Sequence, residues 1–347
     1  MNHPEGNDMT SATLSMSMPM SIPSAKGRVL CVDDEPNILR ALSWLLKKEF
    51  EVVTSSNGHE ALEIVRNDNF DVIISDQRMP EMSGVDFLRE VREIAPRAIR
   101  ILLTGYSDMQ AVLRSVNESE IFRYINKPWN INELPKIVAQ AADIARTQPL
   151  PVQEPAPEEA VLPPAEEATI LVIDDDPQMH AAVEMNSGDL AKVVHVTNVV
   201  DAVHALQNQA VGVIVSETKL GSVDLTRLIC LMKQRHPQIV TVVLAEETGT
   251  DLVSKLINQG QIYRFIPKPI KSGYMRMILR SALAKSHQLS QSPEMKNRHL
   301  VDALPQDECE IFVQDMNQAV QSSATVKSAP AEARPGLIGG FLKRLFG

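Results

Sequence analysis

The stretch Ile170-Leu171-Val172-Ile173-Asp174-Asp175-Asp176-Pro177 repeats Val29-Leu30-Cys31-Val32-Asp33-Asp34-Glu35-Pro36 at a shift of 141 residues. The same shift carries Asn57 onto Asn198, Ala61 onto Ala202, Pro96 onto Pro237 and Lys127-Pro128 onto Lys268-Pro269. A register held over about 100 residues marks a tandem duplication, and its period is far too long for a solenoid. Whatever one copy folds into, the other must fold into as well.

Within the first copy, short apolar runs alternate with helical stripes. Val29–Val32 reads as a strand, and Ile38, Ala41, Leu42 and Leu45 recur at helical spacing up to about Glu49. Pro36 suits the first turn of that helix, where a missing N–H costs nothing. Val52–Thr54 is followed by a helix with Ala61, Leu62 and Val65. A strand ending on Asp76 leads into a helix with Val85, Leu88 and Val91. Ile99–Leu103 leads into one with Val112 and Val116, and Ile121–Ile125 into a last helix from Ile131 to about Ala145. Such alternation predicts a five-stranded parallel sheet with helices on both faces, doubly wound because these connections are right-handed.

The flanking segments differ in character. Residues 1–26 are rich in Ser, Met and Pro and are expected to be a disordered leader; their apolar residues are too interrupted for a signal peptide. Residues 147–168 form a Pro/Glu-rich linker, and residues 288–335 are expected to be a flexible tail, with short helices around Leu300–Leu304 and Ile311–Val313. Residues 336–347 place Leu337, Ile338, Phe341, Leu342, Leu345 and Phe346 on one side of a helix. For this segment a membrane surface, a partner's groove and the chain's own domains all stay open.

In a doubly wound sheet of strand order 2-1-3-4-5, strands one and three are neighbours at the switch point. Asp33 and Asp34 after strand one and Asp76 after strand three therefore converge. Three carboxylates together call for a cation, and an all-oxygen anionic set suits Mg²⁺. Thr104 adds a hydroxyl at the tip of strand four, and Lys127 a cation after strand five, ahead of Pro128 in a bond expected to be cis. Such a site could accept a phosphoryl group on Asp76.

With these residues in place, residues 27–146 resemble a response-regulator receiver domain of two-component signalling. The resemblance rests on Asp33/Asp34, the Asp-x-x-Met-Pro-x-Met-x-Gly run from Asp76 to Gly84, Thr104, Tyr124 and Lys127-Pro128. It implies two flavodoxin-like α/β domains in tandem. It also implies that Asp76 takes phosphate from a histidine kinase or phosphotransfer protein, with Mg²⁺ held by Asp33, Asp34, Asp76 and the backbone carbonyl of Arg78. Lys127 would contact the acyl phosphate, Thr104 would swing to it, and Tyr124 would rotate into the space Thr104 leaves. Beyond this self-phosphorylation and self-dephosphorylation, no enzymatic activity is expected.

The second copy, residues 169–287, keeps Asp174, Asp175 and Lys268 but replaces Asp76 by Glu217, Thr104 by Ala245 and Tyr124 by Phe265. The acceptor is one methylene longer and the reading hydroxyl is gone, so a degenerate pseudo-receiver is expected. A relic docking domain, a constant mimic of the phosphorylated state and a genuine acceptor remain as readings. Glu217 could pair permanently with Lys268, or the acidic cluster could still hold a metal.

A formal charge of −10 argues against a nucleic-acid groove, and residues 289–347 are too short and irregular for a helix-turn-helix output domain. Three scattered cysteines give neither a disulfide framework nor a zinc pattern, which points to a cytoplasmic protein, peripheral to the inner membrane face if the last segment anchors it. The sequence thus predicts a regulator that signals to an unknown downstream protein. The switch face would lie on the helix with Val112 and Val116, the strand through Tyr124 and the helix after it. The alternative is a constitutive scaffold or phosphate sink. A haloacid-dehalogenase-like enzyme would need an Asp where Arg78 stands.

Overall fold

The computed structural model describes residues 26–105, 121–147, 161–221, 223–246, 250–270, 272–291, 311–312 and 314. The leader, the helix expected around Val112 and Val116, most of the linker and the apolar C-terminal segment lie outside the described residues.

The first sheet contains β1 (Gly27–Val32), β2 (Phe50–Ser55), β3 (Val72–Asp76), β4 (Ile99–Thr104) and β5 (Arg123–Asn126), all parallel in the order β2-β1-β3-β4-β5. Successive strand residues point to opposite faces, and the sequence makes both apolar. Val29, Cys31, Val72, Ile74, Ile101 and Leu103 face α1 (Pro36–Leu46) and α4 (Leu134–Thr147). Leu30, Val32, Ile73 and Leu102 face α2 (Gly58–Asn67) and α3 (Gly84–Ile94), which bury Ala61, Leu62, Val65, Val85, Leu88 and Val91. This two-sided burial is what a parallel sheet requires. Pro36 opens α1, the Asn57 side chain accepts the His59 and Glu60 amides at the start of α2, and Ser83 caps α3.

The duplication is visible element by element. β6 (Thr169–Ile173), β7 (Lys192–Val196), β8 (Val211–Ser216), β11 (Val240–Ala245) and β12 (Arg264–Pro267) form a second parallel sheet, ordered β12-β11-β8-β6-β7. Around it pack α5 (Pro177–Ser187), α6 (Val199–Asn208), α7 (Leu225–Arg235), α8 (Thr250–Asn258) and α9 (Ser272–Gln291). Asn198 caps α6 as Asn57 caps α2, and both Lys-Pro bonds, at 127–128 and 268–269, are cis. The two flavodoxin-like sheets expected from the alternation are thus present.

Three local differences stand out. α1 ends at Leu46 rather than near Glu49, and α4 begins at Leu134, leaving Ile131 in an exposed turn. α9 runs on to Gln291, and Phe312, in the stretch read as a tail, is fully buried in the core with Leu171 and Ile214. Where the first copy has its Met79–Gly84 loop, the second has a small antiparallel pair, β9 (Lys219–Leu220) and β10 (Val223–Asp224).

Gly84 sits hard against β3. A Cβ there would come within 2.0 Å of the Asp76 carbonyl oxygen and 2.9 Å of Leu102. Because the first obstacle is backbone, Gly84→Ala must displace β3 or the start of α3, at a cost of about 1–3 kcal/mol, read as a lower urea midpoint.

Lys233 on α7 is buried and donates to the Pro237 and Ile239 carbonyls at 2.9 and 3.2 Å. Burial, with Lys285 adding repulsion, pushes its pKa down to about 7. Between there and the ordinary value of 10.5 the unfolded chain holds a proton that the folded chain lacks, so stability rises with pH across that window. Thermal melts should show this rise, and Lys233→Met should flatten it.

Candidate functional site

The C-terminal tips of β1, β3, β4 and β5 lie side by side, because Asp76 is level with Leu103 and Thr104 with Asn126 in the parallel register. This register brings Asp33, Asp76, Thr104 and Lys127 to one end of the sheet. Asp33 is fully buried, and the Asp76 side chain is only 8% exposed. Lys127 reaches between them, its Nζ 2.8 Å from Asp33 Oδ2 and 2.5 Å from Asp76 Oδ1.

The other carboxylate oxygens are fixed by backbone. Asp33 Oδ1 accepts the Glu35 amide at 2.9 Å, and Asp76 Oδ2 accepts the Arg78 amide at 2.7 Å. Burial raises the Asp33 pKa against the opposing pull of Lys127 and the Glu35 amide, with the Asp76 charge adding to the rise. For Lys127, burial works to depress the pKa, but the two carboxylates outweigh it and hold it above the ordinary value. One ammonium thus compensates two facing carboxylates that would otherwise repel in a poorly solvated tip.

Thr104 is buried and donates its hydroxyl to the Gly105 carbonyl at 3.1 Å, so it is turned along its own strand. Tyr124 is 3% exposed, and burial raises its pKa well above the usual phenol value. Among the described residues its hydroxyl has no hydrogen-bond partner. Asp34, by contrast, is exposed to solvent. Among the described residues, no group of three or more His, Cys, Asp or Glu side chains is arranged to hold a metal. The donor chemistry around Asp33 and Asp76 is nonetheless all oxygen and anionic, as a hard cation such as Mg²⁺ prefers.

The second copy builds the same frame with different tips. Lys268 Nζ lies 2.9 Å from Asp174 Oδ2 and 2.9 Å from Glu217 Oε2. The longer Glu217 side chain folds back, and its Oε1 accepts from the Thr218 amide at 2.8 Å and the Thr218 hydroxyl at 3.0 Å. Asp174 Oδ1 accepts the Asp176 amide, as Asp33 does that of Glu35. Ala245 and Phe265 occupy the Thr104 and Tyr124 positions and are fully buried. The bonds that the Asp76 carboxylate makes to a lysine and an amide are thus matched in Glu217, with a hydroxyl added.

Two features had no sequence signal. His195 bonds the Asp174 carbonyl at 2.8 Å and stacks on His180 at 4.1 Å between centroids, although the two are fifteen positions apart on different elements. Asn258, at the end of α8, bonds the backbone of Tyr124 across the boundary between the two copies. Spacing within one copy cannot show a contact made by the other.

Removing the second site's cation leaves Asp174 and Glu217 facing each other. Lys268→Met is therefore expected to cost about 3–5 kcal/mol in urea unfolding, and adding Glu217→Gln should recover part of the loss.

The model of the response regulator receiver domain matches the chain twice, at residues 29–139 and 170–280. The hydrogenase transcriptional regulatory protein HoxA of Cupriavidus necator is 44% identical over 115 residues, which make up 33% of this chain and 24% of that protein. HoxA of Bradyrhizobium diazoefficiens is 38% identical over 125 residues, 36% of this chain and 26% of its own. The chain therefore spans about a quarter of the length of the curated relatives it matches. Among solved structures, the signal receiver domain of an HD domain-containing protein from Pseudomonas fluorescens covers 38% of this chain and 96% of its own, with 29% identity and a TM-score of 0.36.

Proposed function

Because the chain belongs to the response-regulator receiver family through both of its halves, we propose that it is a two-component regulator whose switch is Asp76 in the first receiver, residues 27–146. The observation that carries this reading is the Lys127 ammonium bridging buried Asp33 and Asp76 at the strand tips. Asp76 is the carboxylate at which phosphate would form an acyl phosphate. Its oxygen attacks the phosphorus of a phosphohistidine, the phosphorus–nitrogen bond breaks, and the electron pair leaves with the imidazole. Donors are a sensor histidine kinase or a phosphotransfer protein.

Mg²⁺ would be held by Asp33, Asp34, Asp76 and the Arg78 carbonyl, with the exposed Asp34 side chain turning in. When bound it supplies positive charge for the transferring phosphoryl oxygens. Lys127 supplies the same from the protein side, already placed against the acceptor carboxylate. Thr104 would exchange its bond to the Gly105 carbonyl for one to the phosphoryl group, whose added charge of about −1.5 to −2 offers strong acceptors.

The second receiver, residues 169–287, is proposed not to turn over phosphate. Glu217 is tied by Lys268 and by both donors of Thr218, and no hydroxyl stands at Ala245. Signals then leave through protein contacts. The HoxA relatives are named as transcriptional regulators, but the match covers about a quarter of them, and the downstream partner of this chain is proposed to be a protein rather than DNA. Among the described residues no helix is long and apolar enough to cross a membrane.

Mass spectrometry after treatment with acetyl phosphate and Mg²⁺ tests the assignment. The acyl-phosphate mass is expected on Asp76 in the native chain, to disappear in Asp76→Ala, and to be absent from Glu217 in both. An unmodified Asp76 would overturn the switch assignment, and modification of Glu217 would overturn the division of roles.

A further inference from the structure

Strand β5 is the outer strand of the first sheet, so among the described residues one of its edges has no neighbouring strand. Such an edge carries backbone groups in need of partners. The Tyr124 amide and carbonyl are satisfied by one side chain from the other receiver. Asn258 Oδ1 accepts the Tyr124 N–H at 2.8 Å, and Asn258 Nδ2 donates to the Tyr124 carbonyl at 2.8 Å. A carboxamide offers one acceptor and a donor side by side, as a strand residue does. It therefore stands in for the missing sixth strand at this single residue.

The surroundings make this more than a chance bond. Tyr124 belongs to the same apolar cluster as Val253, Leu256, Ile257 and Phe265 of the second receiver. The contact is therefore backed by apolar packing and is itself half-buried. The buried Tyr124 hydroxyl also lacks a partner among the described residues. The clamped backbone and the expected switch side chain are one residue.

Resting on the reading of Asp76 as the phosphate acceptor, we propose that the second receiver is the built-in partner of the first receiver's switch strand, held by Asn258 on Tyr124, and that loading Asp76 loosens it. Thr104, turned toward a phosphoryl group, leaves space that the Tyr124 ring fills. The ring then withdraws from the cluster it shares with α8, and the backbone held by Asn258 shifts with it. By linkage the effect runs both ways, and breaking the clamp favours loading of Asp76. The signal is thereby a change in which receiver surfaces are covered, made within one chain.

Hydrogen exchange on the full chain tests the two halves separately. Asn258→Leu keeps the bulk of the side chain but removes its acceptor and its donor, so the Tyr124 amide and carbonyl both lose their partner. The Tyr124 amide is expected to exchange roughly tenfold faster or more in this variant, while the Ile73 amide in the centre of the first sheet stays protected and reports that the fold is intact. An unchanged Tyr124 amide would overturn the clamp. Acetyl phosphate with Mg²⁺ should produce the same acceleration in the native chain, none in Asp76→Ala, and a larger loaded fraction of Asp76 at equilibrium in Asn258→Leu. Loading of Asp76, seen by mass, with Tyr124 still protected would overturn the release while leaving the phosphorylation reading intact. No loading at all would overturn that reading and the release together, and the Asn258→Leu comparison would still judge the contact.

Discussion

Two carboxylates and one ammonium at the end of a parallel sheet hold the logic of this protein. The doubly wound topology forces the tips of β1 and β3 together, and the acids placed there cannot approach without positive charge between them. Lys127 supplies it from the end of β5, two strands away from Asp76, so a single charge ties the middle of the sheet to its edge. Any group that competes for Lys127, or adds negative charge beside it, acts on the edge strand as well as on the acid pair. The proposed switch would therefore be a property of the sheet rather than of one side chain.

The second receiver shows how much of that arrangement survives a change from Asp to Glu. Lys268 still bridges two acids, and the backbone amide after the acid pair still holds Asp174. The extra methylene of Glu217 is absorbed by bonding back to Thr218. What is missing is the responsive part: a hydroxyl at Ala245 and a phenol at Phe265. The ionic frame stabilises the fold in both copies, whereas the groups suited to sensing a new charge exist in one.

The contact between the copies would give that asymmetry a use. Asn258 completes the edge of β5 at Tyr124, and the apolar cluster runs on from the first sheet into α8 and β12. Under the proposed division of roles, a domain that does not switch would still serve as the surface against which the other one does. In such an arrangement Glu217, Ala245 and Phe265 are constants, and variation is confined to Asp76, Thr104 and Tyr124.

The sequence by itself determined the duplication, both five-stranded sheets and the positions of Asp33, Asp76, Thr104 and Lys127 at strand tips. These follow from local rules: apolar alternation, turn residues and a shift constant along the chain. It also exposed the replacement of Asp76 by Glu217, since a repeat supplies its own comparison. Only the tertiary structure decided that Asp34 faces solvent while Lys127 takes the place between the acids, because rotamers answer to charge and burial rather than to spacing. Only it buried Phe312 in the second core and stacked His180 on His195. And only it brought Asn258 to Tyr124, 134 positions away, because a carboxamide's fit to an open strand edge depends on how two domains pack, which no local pattern encodes.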